Sequence, residues 1–222
     1  EKSVRAVETA MMGDQKVYLV TQRNPQQEVP TAADLYQMGT VSQIKQIVKM
    51  PNGILRVMVE GLERAALLTL FEDGQYLEAE IEDAPMQEEQ LSDTVKEAMS
   101  RIVKEKLEEF GNANPKAVKD FIGSLLVITD LEPLLTQTAN EFPWDFAVKQ
   151  ELLECDYVSH LYDRIVYYLM REIEILMIKR DYQGKVKEHI DKNQRDYILR
   201  EELKVIREEL GDDAGAEDAD GY

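Results

Sequence analysis

The 222-residue chain is 44% hydrophobic and 32% charged, which supports a packed core under a charged surface, excludes wholesale disorder and fits two domains. Its formal net charge of −18 repels phosphate backbones and anionic lipid heads, so neither nucleic acid nor membrane is an expected partner of this segment. The single cysteine, Cys155, excludes an intramolecular disulfide and indicates a reduced, cytoplasmic setting.

No run approaches the roughly 18 apolar residues that span a bilayer, and no signal peptide is visible. The chain opens on Glu1 rather than methionine and is read as a piece of a longer polypeptide. In chain order, Ser3 is placed to cap a short helix ending near Met12, with Val4, Val7, Ala10 and Met11 on one side at helical spacing. Residues 17–21 (VYLVT) read as a buried strand, being short and rich in β-branched and aromatic side chains. Residues 24–30 form a polar loop. Two apolar runs, 40–49 and 54–60, flank Pro51-Asn52-Gly53. Asn-Gly between such runs predicts a hairpin, because both residues tolerate positive φ. Gly61 marks a bend or bulge, and 65–71 resumes as strand. Asp73-Gly74 turns the chain into 76–81, where apolar and acidic residues alternate.

After Pro85 the pattern becomes helical. A helix is predicted over 87–110, with Leu91, Val95, Met99, Ile102, Val103 and Phe110 near a 3.6-residue period and Gly111 as its stop. Asn114-Pro115 opens another to about residue 128, Asp130 and Pro133 a short one to 140. Glu141-Phe142-Pro143 breaks it, and 144–154 forms the next. Connections this short favour an antiparallel bundle.

From Tyr157 the helical pattern runs on for roughly 50 residues. Leu161, Ile165, Tyr168, Leu169, Ile173 and Leu176 form a stripe for the bundle, which Tyr182, Val186 and Ile190 continue sparsely. Tyr197, Leu199, Leu203, Ile206 and Leu210 form a last one. Such a helix outgrows a compact domain and must project or pair as a coiled coil. Gly184 weakens it and marks a hinge position. The fold class is therefore α+β: a mostly antiparallel β module with one helix (1–84), a helical bundle (85–180), a long helix or coiled-coil extension (181–210) and an acidic flexible tail (211–222).

No catalytic, cofactor or metal site is expected. Lys185 follows Gly184, but no GxxxxGK[ST] loop surrounds it to cradle a phosphate, and no GxSxG elbow occurs. His160 and His189 lie on one predicted helix about 40 Å apart along its axis, too far to share a metal within one chain. Cys155 reads as an apolar packing thiol rather than a nucleophile. Glu88-Glu89 and Glu108-Glu109 read as solvated helix faces.

Three stretches carry a family resemblance: EKSVRAVE at 1–8, GTVSQIKQIVKMPNGILRVMVEGLERA at 39–65, and NQRDYILREELKVIREELG at 193–211. In order and spacing they resemble the amino-terminal region of bacterial ATP-dependent Lon proteases, and the likeness spans nearly the whole chain. It implies a PUA-like β pseudo-barrel, a helical bundle and a long helix leading toward ATPase and serine–lysine protease modules that are not in this sequence. ATP and magnesium belong to that ATPase module. The resemblance also places a first strand upstream of Glu1, so the β subdomain here is expected to carry an unpaired edge.

The resemblance implies a non-catalytic region that captures unfolded or degron-bearing proteins and helps to hold a homohexamer together. Met50, Pro51, Leu55 and Met58 are the expected substrate contacts, since methionines suit promiscuous binding, with Lys2 and Arg5 as further candidates. Core or turn duty is the competing role for the first four, and a solvated helix face for the last two. Tyr197, Leu199, Leu203, Ile206 and Leu210 are the expected interchain contacts, with packing inside the chain as the competing role. Two other functions fit the same residues: a stand-alone LON-domain ligand-binding module and a coiled-coil scaffold.

Overall fold

The computed structural model describes residues 2–28, 30–51, 54–71 and 74–210, with side chains described to residue 208. The expected turn residues Asn52, Gly53 and Asp73, the side chain of Leu210 and the acidic tail lie outside the described residues.

Helix α1 (Lys2–Met12) precedes four strands, β1 (Lys16–Gln22), β2 (Leu35–Lys49), β3 (Leu55–Phe71) and β4 (Glu78–Asp83). Ser3 lies inside α1 rather than capping it, since the helix already includes Lys2. The strands form one antiparallel meander in the order β1-β2-β3-β4. The predicted hairpin is the β2–β3 pair, with Lys49 opposite Leu55 and Ile44 opposite Val59. The two runs expected on either side of Gly61 are one strand. Val41 pairs with Glu63 and Ser42 with Gly61, so Leu62 is an extra residue at the expected bulge. Lys45 and Leu68 are extra in the same way. Bulges bend a strand and sharpen its twist, and the sheet curls into a half-barrel. Among the described residues β1 and β4 remain its edges.

Few residues of the sheet are buried: Leu35, Ile44 and Ala65, with Ser42. The reading of 17–21 as a buried strand is corrected, because β1 is an edge strand and its residues are at most half-buried. Gly39 leaves room for Tyr18; a Cβ there would lie 2.6 Å from the Tyr18 ring and 2.5 Å from the Leu19 carbonyl oxygen. The Tyr18 hydroxyl crosses β2 at that point and donates to the Ala65 carbonyl at 3.1 Å.

The helices are α2 (Asp93–Ala113), α3 (Pro115–Ala117), which passes through a π turn (Val118–Ile122) into α4 (Gly123–Leu126), α5 (Leu131–Glu141), α6 (Phe146–Leu153) and α7 (Val158–Leu210). Two boundaries differ from expectation. Ser92 caps α2, its hydroxyl accepting from the Val95 N–H at 3.3 Å, so residues 84–92 form a non-helical strap instead of a first helical turn. Gly111 does not stop α2. It lies buried inside the last turn, where a Cβ would meet Val118 Cγ2 at 2.8 Å; its smallness serves packing, and Asn114 closes the helix.

The main core sits in the bundle, where Val103, Leu107, Phe110, Ile122, Leu125, Leu134 and Leu135 pack on Leu161, Ile165, Leu169 and Ile173 of α7. Phe142 lies at its centre. The ring is stacked on Trp144 at 4.4 Å between centroids, tilted to Phe110 at 4.8 Å and edge-on to Phe121 at 5.5 Å. No described helix is long and apolar enough to cross a membrane.

The strap joins the two halves. Gln87 N–H donates to the Asp156 carbonyl at 2.7 Å, the Tyr157 hydroxyl to Gln87 Oε1 at 2.6 Å, and Ser159 N–H to the Glu89 carboxylate at 3.0 Å. Glu89 thereby serves the positive N-terminal end of α7, and its contacts with Ser159 hold the carboxyl below its ordinary value. A depressed folded-state pKa means that the contact stabilises fully above the unfolded value of about 4.3 and is lost as pH falls through the lower, folded one. Protection of the Ser159 amide, taken relative to its intrinsic exchange rate at each pH, should therefore fall on acidification, and Glu89→Gln should lower it already at neutral pH and flatten that acid dependence.

Candidate functional site

Of the residues expected at the hairpin, Met50 is 37% exposed and Met58 59% exposed, and Pro51 is exposed. Met50 N–H donates to the Ile54 carbonyl at 2.8 Å and closes the tip. Ile54, not among the expected contacts, is 60% exposed there. Leu55 departs from expectation. It is half-buried, because alternate strand residues face opposite sides and it shares the inner side with Val57. Met58 stands on the outer side with Val48, whose pairing partner is Arg56. The four residues therefore do not form one patch. Met50, Pro51 and Ile54 make an apolar tip, and Met58 with Val48 extends it along the outer face.

Helix α1 is tied to the hairpin by the Lys49–Glu8 ion pair at 3.1 Å. Arg5 is exposed on it and Lys2 half-buried. Met11 and Met12 are also exposed, Met12 at 84%. Met11 belongs to the predicted helical stripe, whereas Met12, at the end of the helix, gave no periodic signal.

The sheet meets the bundle at the turn between α6 and α7. Buried Gln150 donates to the Met38 carbonyl at 2.9 Å, and Arg64 Nη1 to the Cys155 carbonyl at 2.6 Å. The Arg64 side chain is 14% exposed, and its Nε and Nη2 are buried without hydrogen-bond partners. Burial pulls its pKa down, partly opposed by Asp156. Cys155 is half-buried rather than deep in the core, and burial, followed by nearby Glu151, pushes its thiol pKa up. That disfavours the thiolate a nucleophile needs. The Tyr168 hydroxyl donates to Glu151, whose hydrogen bond pushes the tyrosine up to about 12. These groups form a structural joint.

A curled antiparallel sheet followed by helices is the architecture that known proteins share with this chain. The family profile described as the ATP-dependent protease La (LON) substrate-binding domain matches residues 1–171. The chain belongs to the LON substrate-binding domain family. It is 40% identical over 220 residues to the Lon protease of Lachnoclostridium phytofermentans, covering 99% of this chain and 27% of that protein. With the Lon protease of Escherichia coli K12 it shares 32% identity over 212 residues, 96% of this chain and 27% of the relative. The chain thus spans about a quarter of the length of these relatives. The solved N-terminal domain of a Mycobacterium avium complex Lon protease superposes with a TM-score of 0.60 at 17% identity, over 77% of this chain and 86% of that domain, and shares its fold.

The LON profile ends at residue 171, inside α7, whereas the alignments with whole Lon proteases cover nearly all of this chain. Beyond Leu176 every residue of the helix described to Glu208 is exposed, which leaves roughly 50 Å of helix projecting from the bundle. The helix runs unbroken through Gly184, beside which a Cβ would meet nothing within 4 Å. Tyr197, Leu199, Leu203 and Ile206 are each about half exposed or more, so packing inside the chain is excluded for them in this fold. They do not share one stripe, however. Two positions on a helix lie about 200° apart, which puts Tyr197 across the helix from Leu199. Tyr197 instead continues the side of Ile190, seven residues earlier and about 20° off. The distal stripe is Leu199, Leu203 and Ile206, with Leu210 next in spacing.

Proposed function

We propose that this LON chain is the non-catalytic capture and assembly region of a cytoplasmic, ATP-dependent serine protease of the Lon type. Unfolded or degron-bearing proteins are its substrates, and its own copies, ultimately a hexamer, are its partners. Nucleotide, magnesium and peptide-bond chemistry belong to modules outside this sequence. Residues 1–84 act as the capturing head, 85–180 as its mount and 181–210 as an assembly stalk.

The observation that carries the capture reading is the apolar hairpin tip: Met50, Pro51 and Ile54, continued by Met58, are exposed on a bulged strand pair. Exposed apolar patches on a soluble domain mark interaction sites, and methionine adapts to varied side chains. An unfolded chain exposes the apolar residues that such a tip can cover. Binding of a labelled, permanently unfolded protein, followed by fluorescence anisotropy, tests it. The triple variant Met50→Asp, Ile54→Asp, Met58→Asp should weaken binding by about tenfold or more, as expected for loss of central apolar anchors. Unchanged affinity in the folded variant would remove the tip from the reading. The assembly reading rests on the exposed distal stripe, and Leu199→Asp with Leu203→Asp should shift the sedimentation profile toward monomer.

A further inference from the structure

We propose that the stalk of one copy docks across the outer β3–β4 face of a second copy, with Tyr182, Val186 and Ile190 covering Leu68 and Phe71. The inference rests on the self-assembly reading above and adds to it a second surface, distinct from the distal stripe.

The stalk side of the contact is an apolar stripe with a basic rim. Tyr182, Val186 and Ile190 follow one another at four-residue intervals and are 64%, 57% and 57% exposed. Lys179 and Lys187 line the same groove. Neither has an ion-pair partner among the described residues, and Lys185 pairs only along its own helix, with Asp181 at 2.9 Å. Pairing this stripe with its own copy would set the groove lysines against lysines, which like-charge repulsion opposes. The stripe therefore calls for an acidic, apolar partner.

The chain carries one. Phe71 is opposite Glu78, Thr69 opposite Glu80 and Ala66 opposite Glu82, so the three glutamates share one side of the sheet with Phe71. Buried Ala65 points to the other side, and the β-bulge adds Leu68 to the solvent-facing surface. Leu68 is 56% and Phe71 52% exposed. No Lys or Arg occurs from residue 65 to residue 95, and Arg64, two residues before Ala66, is held against the bundle by the Cys155 carbonyl. Glu78 accepts from the Tyr76 hydroxyl; Glu80 and Glu82 have no ion-pair partner among the described residues. An apolar centre with an acidic rim thus matches an apolar stripe with a basic rim.

The two surfaces cannot meet within one copy, because α7 is a single unbroken helix that leaves the bundle beyond Leu176. Contact between copies remains, and a head-to-stalk contact is heterologous, the type that generates rings when its rotation closes.

Sedimentation velocity on the whole chain tests this with two charge-reversed variants, K179E/K185E/K187E and E78K/E80K/E82K. Each alone should self-associate more weakly by about tenfold or more, since like charges suppress pairing across an interface. An equimolar mixture should restore association, because each variant's altered surface then meets its complement. Restoration also shows that both variants are folded. Association equal to wild type in each variant alone, or no recovery on mixing, overturns the proposal. If Leu199→Asp with Leu203→Asp dissociates the chain while the charge reversals do not, this inference falls and the assembly reading stands. A wild-type chain that is monomeric at every concentration sinks both.

Discussion

Phe142→Ala is expected to lower the unfolding free energy by about 3–5 kcal/mol, the range for truncating a fully buried aromatic. Phe142 is 1% exposed and touches Phe110, Phe121 and Trp144 through ring contacts. Alanine would remove the side chain shared by α2, the π turn and the segment after α5. The ring pairs add favourable geometry beyond the area they bury. The surroundings cannot collapse easily into the gap, since each neighbour is held by a different element. Phe142→Leu keeps most of the volume and should cost less, under about 2 kcal/mol. Urea unfolding followed by far-ultraviolet circular dichroism separates the two. A loss below about 1 kcal/mol for the alanine variant would show that Phe142 is not the keystone its contacts indicate.

The same residue marks where the sequence became illegible. Glu141-Phe142-Pro143 reads as a helix breaker, and α5 does end at Glu141. Nothing local shows that the breaker also points its ring into the core, because that depends on helices distant in sequence. Where patterns are local the reading holds: the hairpin from its Asn-Gly signal, the bulge at Gly61, the helices opened by Pro115 and Asp130, and the unbroken α7. Where contacts are long-range it does not. Residues 87–92 look helical because Leu91 fits the period, yet Gln87 and Glu89 are drawn out by partners 70 residues away. Gly111 looks like a stop and is a packing residue against Val118. At the candidate site Met50, Pro51 and Met58 are exposed, while strand alternation turns Leu55 inward and helix phase sets Tyr197 apart from Leu199. Arg64 carried no signal at all, since its role exists only once the sheet meets the bundle.

At that joint, Arg64→Met is expected to leave stability within about 1 kcal/mol of the native chain, whereas Arg64→Glu is expected to lose about 3–5 kcal/mol, as for an uncompensated buried charge. The guanidinium is largely buried but poorly repaid. It makes one good hydrogen bond, to the Cys155 carbonyl at 2.6 Å, while Asp156 lies 3.9 Å away and is itself 59% exposed. Two of its nitrogens are buried without hydrogen-bond partners. Methionine keeps an apolar stem of similar length in the joint and removes the desolvated charge. It leaves the Cys155 carbonyl short of one donor, a penalty of about 1–3 kcal/mol that relief of the two orphaned donors offsets. Glutamate inverts the situation. It places a carboxylate beside Asp156, with Glu151 and Glu154 lining the cleft that Cys155 and Asp156 share, and it cannot donate to the carbonyl. The pair therefore separates charge from packing at one position. Urea midpoints for the three proteins should order native and Arg64→Met together, well above Arg64→Glu. If Arg64→Met falls as far as Arg64→Glu, the guanidinium itself, and not the filled joint, is what holds the sheet to the bundle.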